Sequence, residues 1–230
     1  MIGFYDYTVV LTYLSLLSAS FGIIISLSGK GHPYLGGFFL LICGLCDAFD
    51  GKVARTKKNR SHEEQSFGVQ IDSLSDLVAF GVLPACIGNA MMRGSPIIGF
   101  LEESYGKPCR WIVTSILTAF LVLYILAALI RLAYFNVTEE KRQREESGAR
   151  THFIGLPVTS AALVFPFILL LQYIIPTDIM LVYYASAVFM GFAFLGKFKF
   201  KKPGLRGLLI LIGIGTIEFL LMLLGKLMEC

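Results

Sequence analysis

Residues 41–80 read LICGLCDAFDGKVARTKKNRSHEEQSFGVQIDSLSDLVAF. Two apolar segments flank a polar loop, and each segment carries a pair of aspartates, Asp47 with Asp50 and Asp72 with Asp76. The whole chain has six aspartates, so most of them are concentrated here. An ionised carboxylate at membrane depth costs about 2.5–3.5 kcal/mol on insertion scales. Four together therefore require a compensating cation or a water-filled cavity, and that cost points to a metal site.

The rest of the chain supplies the membrane. With 230 residues, 56% of them hydrophobic, and a mean hydropathy of +0.72, it reads as a polytopic all-α bundle rather than a soluble domain. No Pro/Ser-rich linker or charge block divides residues 1–230, so a single catalytic domain is expected. Length and apolarity predict spans at Thr8–Ser28, Tyr34–Ala54, Gly68–Met92, Trp111–Phe135, Leu156–Ile174, Ile179–Gly196 and Leu205–Leu224. Pro157 and Pro166 can break the fifth, which leaves six to eight spans in all.

If seven spans alternate, three loops share one face. They carry Arg55, Lys57, Lys58 and Arg60; Lys141, Arg142, Arg144 and Arg150; and Lys197, Lys199, Lys201, Lys202 and Arg206, thirteen cations together. The opposite face has five: Lys30, Arg93, Lys107, Arg110 and Lys226. The positive-inside rule puts the richer face, the N-terminus and the aspartates toward the cytoplasm, in an integral membrane protein of the cell membrane. No cleavable leader is expected, because the first apolar stretch is long and no basic region precedes it.

Helical spacing sharpens the site. Asp47, Asp50, Gly51 and Ala54 lie on one stripe, with Arg55 a turn later. Gly68, Asp72 and Asp76 form a second stripe four residues apart. If the two faces meet, the four carboxylates converge while Gly51, Ala54 and Gly68 leave room for a close backbone or a ligand. Hard oxygen ligands suit Mg²⁺, Mn²⁺ or Ca²⁺. Mg²⁺ keeps waters and recruits substrate phosphates, and Arg55 can pair with phosphate oxygens, so the expected ligand is a phosphate ester or diphosphate. A structural ion pair with Arg131 or Lys52 explains a pair of carboxylates better than it explains four. Lys52 turns off the stripe, toward packing or an ion pair.

Other motifs carry less. Cys43-x-x-Cys46 lacks a second pair or a neighbouring ligand histidine, so both are expected as small buried side chains. His32, His62 and His152 lie in loops without ligand spacing. The mixed-charge run Glu139–Glu146 reads as a solvated helix between spans. Lys197–Lys202 can hold anionic headgroups, and nucleic acid is not an expected partner.

The frame Asp47-x-x-Asp50-Gly51-x-x-Ala54-Arg55 … Gly68-x-x-x-Asp72-x-x-x-Asp76 resembles the signature of the CDP-alcohol phosphotransferases, with eight matched positions over thirty residues. The segments Gln70–Ala85, Arg131–Val137 and Phe153–Pro157 are similar to the phosphatidylserine synthase branch of that family. The resemblance implies an integral membrane enzyme that moves a phosphatidyl group from CDP-diacylglycerol to the hydroxyl of serine and releases CMP. It implies one or two Mg²⁺ or Mn²⁺ ions, the first held by Asp47, Asp50 and Asp72 and the second by Asp47, Asp72 and Asp76. Asp76 corresponds to the general base. Gly51, Ala54, Arg55 and Gly68 correspond to the CDP-diacylglycerol contacts, and a homodimer is implied. Twelve residues separate Arg55 from Gly68, more than the family usually has, so the loop contacts to the nucleotide are left unassigned. Arg131, the only arginine well inside a span, is a candidate for the serine carboxylate or the diphosphate; its alternatives are snorkelling to headgroups or stabilising the carboxylates. The alternative functions are a sibling enzyme accepting glycerol phosphate or inositol phosphate, and a divalent-cation transporter, which gains nothing from Arg55.

Overall fold

The structure is a computed structural model, and it describes residues 3–4, 6–29, 31–57, 59, 61–145, 152–175, 177–201 and 205–228. Lys30, Lys58, Arg60, Glu146, Arg150, Lys202 and Cys230 lie outside the described residues. The helices are α1 (Val10–Leu27, entered through a 3₁₀ turn at Tyr7–Val9), α2 (Pro33–Ala54), α3 (His62–Asp76), α4 (Leu83–Gly94), α5 (Pro96–Glu145), α6 (Ala161–Ile174), α7 (Met180–Leu195) and α8 (Leu205–Met228). Two short strands, β1 (His152–Ile154) and β2 (Lys199–Lys201), pair antiparallel.

Among the described residues, four helices are long and apolar enough to cross a bilayer: Tyr7–Leu27, Pro33–Ala54, His62–Gly94 and Pro96–Glu140. Shorter apolar stretches at Val158–Gln172, Met180–Leu195 and Gly213–Met222 lie in α6, α7 and α8. The exterior of the bundle is apolar. On α1, Leu14, Leu17, Phe21 and Ile24 are exposed, while Thr12, Ser15 and Ser18 are buried. That is the pattern of a helix with lipid outside and a polar seam inside.

The expected boundaries shift in two places. The fourth span extends over α5, which bends at Gly106 (φ +81°), a conformation glycine adopts without Cβ strain, and runs on through the mixed-charge segment. The fifth begins only at Ala161, because Pro157 sits in extended backbone ahead of a 3₁₀ turn, and Pro166 lies inside α6 without ending it. The β1–β2 ribbon ties the segment after α5 to the segment after α7. Its turn continues through Gly155 N–H to Phe198 O (2.7 Å) and Leu156 N–H to Ala193 O (3.2 Å). The ribbon thus joins segments from two of the loops expected to share a face.

Between α3 and α4 the helix widens into a π-helical turn, Leu77–Val82. Pro84 has no N–H to offer the carbonyl of Phe80, four residues back. The buried Tyr124 hydroxyl donates to that carbonyl at 2.6 Å. Tyr183 donates to the carbonyl of Pro84 (2.8 Å) and Tyr184 to that of Gly88 (3.2 Å), so α5 and α7 are stapled to the irregular stretch. Such π-turns recur at functional sites, and this one follows Asp76 directly.

The expected third span, Gly68–Met92, runs through the second half of α3 and most of α4, and the second span packs against its α4 part. α2 packs along α4, and α1 packs against α2, α3 and α4. At the other end α2 and α3 separate. The aspartates sit where the two helices part.

Candidate metal centre and active-site cavity

α2 delivers Asp47 and Asp50 one turn apart, and α3 delivers Asp72 four residues before its end. α3 starts cleanly because Ser61 and Glu64 form a reciprocal capping box: Ser61 Oγ accepts from Glu64 N–H and Glu64 Oε2 accepts from Ser61 N–H, both at 3.1 Å. This fixes the phase of α3 and with it the direction of Asp72. The carboxylates of Asp47, Asp50 and Asp72 each offer an oxygen within 4.8 Å of the others.

Asp76 is one turn deeper, 9% exposed, and lies outside this triplet. It remains within electrostatic reach of all three, Asp47 foremost. Lys57 pairs with Asp6 and Glu64, and Arg110 with Glu102, and among the described residues no ion pair involves the four aspartates. Carboxylates gathered in an apolar bundle without a basic partner fit a divalent cation, and an all-oxygen donor set fits Mg²⁺ or Mn²⁺.

Two cavities adjoin this cluster. The larger, about 800 Å³, opens where α2 and α3 part. Asp50, Gly51, Ala54 and Arg55 line it from α2, and Gly68, Asp72 and Ser73 from α3. The four candidate nucleotide-contact residues, Gly51, Ala54, Arg55 and Gly68, therefore face one space. A Cβ built on Gly51 would meet only the Arg55 guanidinium, Nη1 at 3.8 Å and Nη2 at 4.0 Å. No packing within the protein demands glycine there. The second cavity, about 350 Å³, is an apolar groove between α2, α6 and α8 that ends at Asp47, with Gly44, Ala48, Ala162 and Gly215 in its walls. Asp76 lines neither cavity.

Arg131 is 5% exposed and does not line the large cavity. Its Nε donates to Leu156 O (3.1 Å) and its Nη2 to Gly155 O (3.4 Å), with the guanidinium 5.7 Å from the Phe135 ring centre. It thereby ties α5 to the turn at Gly155, whose φ of +73° and closeness to Gly196 O (2.7 Å from a built Cβ) exclude a side chain. Lys52 lies over the Phe49 ring at 5.2 Å, off the carboxylate stripe. Cys43 is buried, its thiol donating to Ser15 O at 3.3 Å, and Cys43, Cys46, Cys86 and Cys109 are free thiols.

Several further residues line the large cavity without a role fixed by the sequence. Thr8 in the 3₁₀ turn and Thr12 on α1 reach it, spaced four apart, a polar pair at the start of an apolar span. His62, expected in a loop, is the first residue of α3 and lines the rim. Asn136 on α5 also lines it, and its Nδ2 donates to Ser73 Oγ at 2.7 Å. The rim is strapped by the N-terminal segment. Lys57 Nζ pairs with Asp6 (2.7 Å) and Glu64 (3.1 Å), and the Tyr7 and Thr56 hydroxyls are 3.1 Å apart. The Lys57 and Thr8 hydrogen bonds hold the Asp6 carboxyl down at about 2, and the Asp6 and Glu64 carboxylates push the Lys57 ammonium up.

Comparison with known proteins adds a family and relatives. A family profile described as CDP-alcohol phosphatidyltransferase matches residues 8–198. The CDP-diacylglycerol–serine O-phosphatidyltransferase of Saccharomyces cerevisiae is 38% identical over 142 residues, 60% of this chain and 43% of that protein. The archaetidylserine synthase of Methanothermobacter thermautotrophicus is 34% identical over 150 residues, 65% and 52% of the two chains. A CDP-diacylglycerol–serine O-phosphatidyltransferase of Helicobacter pylori is 28% identical over 134 residues, 58% and 45%. The aligned region spans about half the length of these relatives.

Proposed function

Because this chain belongs to the CDP-alcohol phosphatidyltransferase family, we propose that it transfers the phosphatidyl group of CDP-diacylglycerol to the hydroxyl of L-serine, giving phosphatidylserine and CMP. The observation that carries this reading is the meeting of two unlike spaces at one carboxylate cluster. The polar cavity holds Asp50, Asp72 and Arg55, and the apolar groove ends at Asp47. A donor with a nucleotide diphosphate at one end and acyl chains at the other has that same division. A cation transporter needs neither the groove nor Arg55. The names of the relatives support serine as acceptor.

Asp47, Asp50 and Asp72 would hold the divalent ion, Mg²⁺ or Mn²⁺, with Asp76 available to a second. Such ions neutralise the oxygens of the diphosphate and of the attacking and leaving groups. Arg55 pairs with a diphosphate oxygen, and Gly51 admits the diphosphate close to the backbone of α2. The serine oxygen attacks the phosphorus that bears diacylglycerol, the bond to the CMP oxygen breaks, and the hydroxyl proton passes to a base. That base is Asp76 by its correspondence to the family motif and its position one turn from Asp72. Arg131 acts by holding the Gly155 turn against α5 rather than through a substrate charge. The cavity faces the cytoplasm, where the nucleotide and serine are, in a cell-membrane protein that works as a homodimer.

The test is CMP release by purified protein given CDP-diacylglycerol and Mn²⁺ or Mg²⁺. Metal-dependent release with serine, and none with glycerol phosphate or inositol phosphate, is the expected result. Release only with a phosphorylated polyol moves the chain to a sibling reaction, and no release with any alcohol overturns the enzyme reading.

A further inference from the structure

A diacylglycerol donor brings ester groups as well as a diphosphate, and nothing in the aspartate frame accounts for their recognition. Taking the transfer reading above as the premise, we infer that Thr159, at the Asp47 end of the apolar groove, reads the ester linkage of the donor lipid, its hydroxyl donating a hydrogen bond to an ester carbonyl. A donor with ether-linked chains has no carbonyl to receive it.

The register between α2 and α6 singles out this residue. A Cβ built on Gly37 would lie 2.6 Å from Leu169 Cδ1, and one built on Gly44 would lie 2.5 Å from Ala162 Cβ. The two helices therefore run antiparallel, and three residues beyond the Gly44–Ala162 contact the same register sets Thr159 opposite Asp47. The groove is apolar apart from Asp47 and the hydroxyls of Thr159 and Thr216. Thr216 follows Gly215, which faces Leu163, so it stands farther from the carboxylates among the space for the chains. In the 3₁₀ turn that leads into α6, Val158 is buried in the core and Ser160 Oγ donates to Pro157 O at 2.6 Å, so Thr159 is the residue that turns to the groove. Among the described residues its hydroxyl has no hydrogen-bond partner. Arg131 anchors the carbonyl of Leu156 just ahead of the turn, which presets the hydroxyl before the lipid arrives. The phosphorus under attack has to lie at the aspartate cluster, and the ester groups stand on the glycerol carbons next to the one that bears its phosphate. They therefore enter the groove at the level of Asp47. A carbonyl left unpaired against apolar walls weakens binding, and a hydroxyl at that level removes the penalty.

Two donors separate ester reading from general damage. CMP release with serine and Mn²⁺ is measured against the concentration of CDP-diacylglycerol and of a CDP-dialkylglycerol with chains of equal length, for the wild type, T159V and T159S. A neutral hydrogen bond corresponds to about a 2- to 10-fold change. The wild type should therefore favour the ester donor in kcat/KM by about that factor. T159V, which keeps the shape and loses the hydroxyl, should abolish the preference by raising the KM for the ester donor alone. T159S, which restores a hydroxyl, should recover it, and the KM for serine should stay at the wild-type value in all three. T159A takes the place of T159V if that variant does not fold. Equal use of the two donors by the wild type, or a T159V protein that keeps the wild-type ratio or loses activity on both donors alike, overturns the role of Thr159 alone. Absence of CMP release from either donor with any alcohol overturns the transfer reading and the role of Thr159 together.

Discussion

Replacing Gly51 by alanine should make the protein more stable and less able to bind its donor. In the folded chain the added methyl meets only the Arg55 guanidinium, at 3.8 and 4.0 Å, which is ordinary contact distance. Glycine within a helix costs roughly 0.5–1 kcal/mol relative to alanine, so the substitution should recover about that much. In a chain of this size the gain corresponds to a rise in Tm of about 2 °C. The same methyl enters the space beside Arg55 that the diphosphate is proposed to use, and there it should raise the KM for CDP-diacylglycerol by about 10-fold or more, the cost of crowding a preorganised contact. Gly44→Ala is the contrast, because its methyl would lie 2.5 Å from Ala162 Cβ, where α2 meets α6. That variant should lose stability. Thermal unfolding in detergent, read by the loss of monodisperse protein after heating, gives one axis, and CMP release against donor concentration gives the other. A Gly51→Ala protein with a lower Tm and an unchanged KM would show that glycine serves packing there, and the assignment of Gly51 to the donor would be wrong.

Asp50→Asn and Asp72→Asn should each abolish metal-dependent turnover and weaken Mn²⁺ binding at least 10-fold, since each removes one charged ligand; direct titration checks this. Asp76→Asn should instead leave binding of the CDP-lipid near the wild-type value while lowering kcat by about 100-fold or more, the usual contribution of a general base. Tyr124→Phe should cost about 1–3 kcal/mol by leaving the Phe80 carbonyl unpaired next to Pro84, seen as a lower Tm with normal KM values for the surviving protein. The strap at the rim should depend on pH in a defined direction. Because the folded-state value of Asp6 is lowered to about 2 from an ordinary 3.8, its contribution is fully present above pH 4 and fades as pH falls toward 2. The Tm difference between wild type and Asp6→Asn should follow that window, and a difference that persists unchanged at pH 2 would disprove the ionic origin of the strap.

Much of the site was legible because helical spacing is a strong constraint. Asp47, Asp50, Gly51, Ala54 and Arg55 share a face by arithmetic alone, and the cost of intramembrane charge makes their convergence with Asp72 close to obligatory. Helical spacing pairs the second span with the third, but it does not display the widened turn at Leu77–Val82 inside the third. α2 lies along α4 and parts from α3, and those two stand on either side of the widened turn at Leu77–Val82. Arg131 illustrates a second limit. An arginine inside a span reads as a functional charge, yet it is matched here by backbone carbonyls that a sequence does not display. Asn136 reads from the sequence equally as a substrate hydrogen-bonder or as a helix C-terminal residue. A single amide at the end of an apolar run has no periodicity, and only its pairing with Ser73 across two helices gives it meaning.

Isothermal titration of Mn²⁺ into chelator-treated protein, with and without CDP-diacylglycerol, probes the aspartate cluster most directly. Binding should occur, tighten when the CDP-lipid is present, and disappear in both Asp50→Asn and Asp72→Asn. Mn²⁺ affinity that is unchanged by those substitutions, or indifferent to the lipid, would contradict a metal held between α2 and α3 and shared with a nucleotide diphosphate.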